Sequence, residues 1–90
     1  MKVGAHIIVK GMVQGVSFRF FVYHRATRLG LNGYVRNLYD GNVKIKVEGE
    51  RSLIEELIKE VKVGPRSARV TDVDISWKNA EDLYSHFEIR

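Results

Sequence analysis

Residues 42–61, NVKIKVEGERSLIEELIKEV, contain a strand pattern followed directly by a helix pattern. In the first part apolar residues alternate with charged ones, namely Val43, Ile45 and Val47 with Lys44, Lys46 and Glu48. Such alternation predicts a strand with one buried face and one face toward water. The letters SLIE then match a capping box, with Ser52 as the helix N-cap and Glu55 reaching back. The predicted helix carries on one side Leu53, Leu57, Ile58 and Val61.

The residues before this stretch predict two more strands and another helix. Residues 6–11, HIIVKG, have the pattern of a strand, and Ser17 then precedes a helix as its N-cap. The apolar positions of that helix follow a 3.6-residue period and are Phe18, Phe21, Val22, Ala26 and Leu29. Residues 33–38, GYVRNL, predict the second strand, and YDGN supplies an Asp-Gly hairpin turn into the strand at residue 43.

The residues after residue 61 complete the fold. Val73, Ile75 and Trp77 alternate with polar residues and predict a fourth strand, and HFEIR at residues 86–90 predicts a short final one. The order strand, helix, strand, strand, helix, strand is that of the ferredoxin-like β-α-β-β-α-β sandwich. We therefore expect an α+β fold, an antiparallel sheet of four to five strands with two helices on one face, forming a single domain over residues 1–90.

The topology predicts which segments are neighbours. The first and second strands are expected to run parallel, because a helix connects them. Their carboxyl ends then lie at the same edge of the sheet. Residues 12–19 and 37–41 should therefore be close in space.

Composition excludes several kinds of site. The chain has no cysteine, which excludes disulfides, thiolate metal sites and cysteine nucleophiles. The three histidines show no metal-ligand spacing with carboxylates, and no stretch is long enough for a membrane-spanning helix. The apolar run near the N-terminus is too short for a signal peptide. A cytoplasmic monomer is expected, and a formal net charge of +4 fits an anionic ligand.

Residues 11–20, GMVQGVSFRF, place an arginine where a helix end is already positive. A glycine-containing turn that enters a helix N-terminus directs unpaired backbone N–H groups at one point, which suits a phosphate. Arg19 would add a forked cationic donor for the same anion. The stretch lacks the lysine of a Walker motif, and a plain tight turn with Arg19 in water explains it equally well.

Asn37 is the second candidate, because it lies at the carboxyl end of the second strand. Its amide can hold a water molecule while it donates to a phosphoryl oxygen. A polar residue that leads into the YDGN turn is the alternative interpretation.

Two stretches together favour the functional interpretation. GMVQGVSFR at residues 11–19 and GYVRN at residues 33–37 resemble the two signature motifs of acylphosphatases, and their separation and the chain length fit that family. The resemblance implies hydrolysis of acyl phosphates to a carboxylate and inorganic phosphate, without metal or cofactor. It implies that Arg19 binds phosphate and Asn37 orients the attacking water. The implied phosphate cradle is the backbone of Gln14, Gly15, Val16, Ser17, Phe18 and Arg19.

Two other functions use the same fold. One is a non-catalytic nucleic-acid or protein-binding module, and RNA-binding domains of this plan stack bases on aromatic residues of the central strands. The first and third predicted strands contain no Phe, Tyr or Trp, so we expect no nucleic-acid partner. The other is an accessory domain of a larger protein in a carbamoyl-phosphate pathway.

Overall fold

The computed structural model describes residues 1–15 and 17–90. Its helices and strands follow the predicted order, with a fifth strand at the end. In chain order they are β1 (Lys2–Met12), α1 (Phe18–Arg28), β2 (Asn32–Asn37), β3 (Val43–Glu50), α2 (Arg51–Val63), β4 (Arg69–Asn79) and β5 (Phe87–Ile89). The ferredoxin-like α+β plan is confirmed.

The sheet order is β4-β1-β3-β2-β5. β3 pairs antiparallel with both β1 and β2, so β1 and β2 run parallel on either side of it, as predicted. The four strands β1 to β4 pair antiparallel as predicted, whereas the fifth strand, β5, pairs parallel with β2. β4 ends at the edge of the sheet where β2 begins, and the loop over residues 80–86 brings β5 in from that same edge. The sheet is therefore mixed.

The core lies between the sheet and the two helices. α1 contributes Phe18, Val22 and Ala26, which are all buried. Facing them are the inward residues of the central strands, among them Ile7, Val9, Val35, Val43, Ile45 and Val47. Burying side chains of this size contributes about 1.5–3 kcal/mol each, so this layer fixes the strand positions on which the edge loops depend.

The start of α2 differs from the predicted capping box. The helix begins at Arg51, its N-cap position is Glu50, and no side chain caps it, so the role assigned to Ser52 is wrong. The Arg51 N–H instead donates to the carbonyl oxygen of Met1 at 2.9 Å, which satisfies one of the unpaired amides at this helix end. Leu53, predicted on the apolar side of the helix, is 37% exposed, and the buried positions of the helix are Ile54, Leu57, Ile58 and Val61.

Glu48 was predicted on the solvated face of β3 and is instead buried, with 4% exposed. The reason is the loop over residues 80–86, which supplies hydrogen-bond donors to the carboxylate. The Glu81 N–H donates to Oε2 at 2.6 Å and the Leu83 N–H to Oε1 at 3.3 Å. Since this loop leads into β5, Glu48 helps to hold the edge strand in place.

We expect Glu48→Ala to lower the free energy of unfolding by about 1–3 kcal/mol, because two amides lose their acceptor. Glu48→Gln should lose less, since its side-chain oxygen can still accept from one amide. Urea unfolding measures both variants, with the exposed Glu56→Ala as the control. Equal stability of wild type and Glu48→Ala would contradict the assigned role.

Candidate active site

Among the described residues of the loop between β1 and α1, two have left-handed backbone conformations. Gly15 has φ 73° and Ser17 has φ 61°. Glycine adopts this conformation freely, but at Ser17 it costs of the order of 1–3 kcal/mol. Val16, predicted to belong to the cradle, lies outside the described residues. Backbone strain of this kind occurs often at ligand sites, so this loop is a candidate site on geometry alone.

The N-terminus of α1 offers backbone donors. Its first intrahelical hydrogen bond runs from the Phe21 N–H to the Ser17 carbonyl oxygen at 3.1 Å, which leaves the amides of Phe18, Arg19 and Phe20 without an acceptor inside the helix. Ser17 occupies the N-cap position as predicted, but its side chain makes no capping hydrogen bond, so that predicted role is wrong. The first turn contains no acidic residue. This helix end therefore keeps its positive potential.

Gln14 joins the loop to the hairpin after β2. Its Nε2 donates to the carbonyl oxygens of Leu38 and Asn42 at 2.7 and 2.8 Å. These bonds confirm that the segment after β1 and the segment after β2 are neighbours. The backbone of Gln14 was predicted to form part of the phosphate cradle. The structure places its side chain on the hairpin and outside the pocket lining.

A pocket of about 130 Å³ opens at this edge of the sheet. It brings together Arg19 and Asn37, the two predicted catalytic residues, with three predicted members of the cradle. Its lining residues are Val13, Gly15, Ser17, Phe18, Arg19, Phe20, Asn37 and Ile89. Polar groups from the loop, the helix and β2 thus converge on one small volume.

Arg19 is held from the side of β5. One guanidinium nitrogen donates to the carbonyl oxygen of Arg90 at 3.1 Å. The main chain of Arg90 is itself fixed, because its N–H donates to the carbonyl oxygen of Val35 at 2.7 Å. A guanidinium has five N–H donors, so this contact orients Arg19 and leaves donors for an anion.

Asn37 is the last residue of β2 and presents an unpaired acceptor. Its Oδ1 is buried and has no hydrogen-bond partner among the residues that the structure describes. A buried acceptor without a donor costs about 1–3 kcal/mol. An unpaired acceptor in a side chain that lines a pocket makes Asn37 a candidate residue for binding a hydrogen-bond donor.

The described residues, 1–15 and 17–90, include no group of three or more histidine, aspartate or glutamate side chains placed to hold a metal ion. Within the same residues, no helix has the length and apolar character needed to cross a membrane. Arg19 and the N-terminus of α1 supply positive charge at the pocket.

Sequence reasoning missed four parts of this site, the first being Val13, which also lines the pocket. Phe20 was given no part in the predicted site, yet it is 59% exposed and lines the pocket. Ile89 was assigned only to a short strand. The contact with the Arg90 carbonyl oxygen could not be predicted from the sequence, because every residue carries a backbone acceptor. The exposure of Phe20 could have been predicted, because it lies outside the helical stripe formed by Phe18, Val22 and Ala26.

Comparison with known proteins agrees with this geometry. The family model described as Acylphosphatase matches residues 5–89. The chain belongs to the acylphosphatase family. An acylphosphatase of Caldanaerobacter subterraneus subsp. tengcongensis is 45% identical over 89 residues, 99% of each chain. Other curated acylphosphatases reach 43–52% identity over most of this chain, which places it among enzymes of that class.

Solved acylphosphatases have the same fold. The crystal structure of the Bacillus subtilis acylphosphatase matches with a TM-score of 0.94 at 35% identity, covering 98% of each chain. That of Coxiella burnetii matches with a TM-score of 0.93 at 39% identity, covering 99% of this chain and 93% of that one. Full-length HypF, in a phosphate- and nucleotide-bound form, contains a similar domain in 12% of its length, with a TM-score of 0.87 at 30% identity.

We expect Gln14→Ala to lower the free energy of unfolding by about 1–3 kcal/mol, since it removes two hydrogen bonds between the loop and the hairpin. Gln14→Glu should be more damaging, because a carboxylate would face two carbonyl oxygens. Thermal and urea unfolding measure the effect, with the fully exposed Tyr39→Ala of the same hairpin as the control. If Gln14→Ala is no less stable than Tyr39→Ala, the side chain does not hold the hairpin.

Proposed function

We propose that this chain hydrolyses acyl phosphates to a carboxylate and inorganic phosphate. The observation that carries the proposal is one pocket lined both by the positive N-terminus of α1 with Arg19 and by Asn37, whose buried Oδ1 is unpaired. Membership of the acylphosphatase family supports the same reaction. The substrate is a small molecule with a tetrahedral anionic phosphoryl group.

In this proposal the loop and Arg19 hold the phosphoryl group. Backbone N–H groups over residues 14–19 donate to its oxygens, and the Arg19 guanidinium grips them from the side. The contact with the Arg90 carbonyl oxygen keeps that guanidinium oriented before substrate arrives. A donor set fixed in advance stabilises the charge of the transition state without reorganisation.

Asn37 orients the attacking water. Oδ1 accepts a hydrogen bond from the water, and the side-chain N–H can donate to a phosphoryl oxygen. The water oxygen forms a bond to phosphorus as the phosphorus–oxygen bond to the acyl group breaks, and the carboxylate leaves with the electron pair. The proton of the water passes to an oxygen of the substrate's own phosphoryl group.

The protein has to supply little acid–base catalysis for this reaction. A carboxylate is a good leaving group, so no strong general acid is required. Positioning and electrostatic stabilisation carry the catalysis, as in phosphoryl transfer generally. We propose that the enzyme works without metal or organic cofactor, as a single-domain cytoplasmic monomer without a nucleic-acid partner.

We expect Arg19→Ala to reduce kcat/KM for benzoyl phosphate by about 10²–10³-fold or more, and to weaken inhibition by inorganic phosphate in parallel. Arg19→Lys should remain severely impaired, because an ammonium cannot make the two-pronged contact. The assay is run without added metal, and the exposed Arg66→Ala is the control for loss of a positive charge. Wild-type turnover by Arg19→Ala would overturn the proposal.

We expect Asn37→Ala to lower kcat by about 10²–10³-fold, while the inhibition constant for inorganic phosphate changes far less, because the variant loses the water position and keeps the cradle. Asn37→Asp should weaken both, since its carboxylate repels the phosphoryl group. Steady-state kinetics and phosphate inhibition separate the two effects. Hydrolysis by Asn37→Ala at the wild-type rate would show that Asn37 does not orient the water.

A further inference from the structure

The mouth of the pocket is apolar although the groups that would bind phosphate are polar. Phe20 and Ile89 line it, and they are 59% and 37% exposed. Single exposed apolar residues are ordinary on protein surfaces. Two of them at the rim of a polar pocket are typical of a ligand groove in which a few polar groups fix orientation and apolar walls bind the remainder.

Phe20 is held in a defined place at this rim. It points away from the buried stripe of α1, and its ring stacks on the imidazole of His24, one turn later, with a centroid distance of 5.8 Å and an interplanar angle of 30°. A ring packed on a neighbour loses less entropy when a ligand binds beside it. Phe20 also follows Arg19 directly in the chain, so an apolar residue is next to the cationic one.

Ile89 comes from β5, at the C-terminal end of the chain. It pairs with Val35 of β2, and the next residue supplies the carbonyl oxygen that accepts from Arg19. The same strand therefore orients the guanidinium and adds an apolar side chain to the pocket. The other two apolar lining residues, Val13 and Phe18, are each only 1% exposed, so the accessible apolar surface is mainly that of Phe20 and Ile89.

We propose that Phe20 and Ile89 form an acyl-group subsite, which favours acyl phosphates with an aromatic acyl group over acetyl phosphate. This inference rests on the proposed function. With the phosphoryl group at the helix end and Arg19, the remainder of the pocket of about 130 Å³ is left for the acyl substituent, and Phe20 and Ile89 are its exposed apolar lining residues. An aromatic acyl group buries surface against them and packs on the Phe20 ring. An acetyl group is too short to cover that ring.

The test compares kcat/KM for benzoyl phosphate and acetyl phosphate. We expect Phe20→Ala to lower the benzoyl-to-acetyl ratio by about 3- to 10-fold, the range for loss of one aromatic pair. Phe20→Tyr, which keeps the ring, should keep most of the ratio. Leu83→Ala is the matched control, because Leu83 is also 59% exposed and lies outside the pocket lining. Alanine is the best helix former and Phe20 is exposed, so the variant should fold.

The outcomes separate this inference from the proposed function. If both substrates are hydrolysed and Phe20→Ala keeps the wild-type ratio, the subsite is wrong and the phosphate site stands. The subsite is also wrong if Leu83→Ala lowers the ratio as much as Phe20→Ala. If the wild type hydrolyses neither substrate, the proposed function fails and the subsite fails with it. Should Phe20→Ala unfold, Phe20→Leu gives the same test, because it removes the ring and keeps an apolar side chain.

Discussion

The pairing of β3 with two strands at once is the constraint on which the site depends. Because β1 and β2 both run antiparallel to β3, they are parallel to each other and end at the same edge of the sheet. Val43 is paired with Val9 on one side and with Asn37 on the other, so Asn37 lies level with Val9 in the C-terminal part of β1. The loop after β1 then needs only five residues to reach α1 beside Asn37. The buried apolar faces of the three strands hold this register.

The edge of the sheet carries features that cost stability. Ser17 is left-handed, Asn37 has a buried acceptor without a partner among the described residues, and Arg19 lies at the positive end of a helix. Each is unfavourable by itself. In the proposed function, a phosphoryl group would offset the charge of Arg19 and a water molecule would donate to the Asn37 acceptor. Local rules of protein stability are typically broken at functional sites, where the rest of the fold compensates. Here the compensation comes from the core and from the Gln14 and Arg90 hydrogen bonds.

Much of the fold was predictable, because the alternation in β3 and the helical spacing in α1 and α2 are local signals. Two of the wrong predictions concern distant partners. Ser52 does not cap α2 because the Met1 carbonyl oxygen accepts from that helix end, and Glu48 is buried because amides of a loop more than thirty residues away donate to it. Charge placement and topology made Arg19 and Asn37 candidates, and the resemblance of residues 11–19 and 33–37 to two family motifs selected them. The contact between Arg19 and Arg90 could not be predicted, since its acceptor is a backbone oxygen and every residue has one.

Titration of inorganic phosphate into the nitrogen-15-labelled protein, followed by amide NMR, tests the phosphate site most directly. The largest shift changes should occur at the backbone amides of Gly15, Phe18 and Arg19 and at the side-chain amide of Asn37, and they should be lost in Arg19→Ala. Changes that centre on Lys44 and Lys46 of the open sheet face, or that persist unchanged in Arg19→Ala, would contradict the phosphate site at the N-terminus of α1.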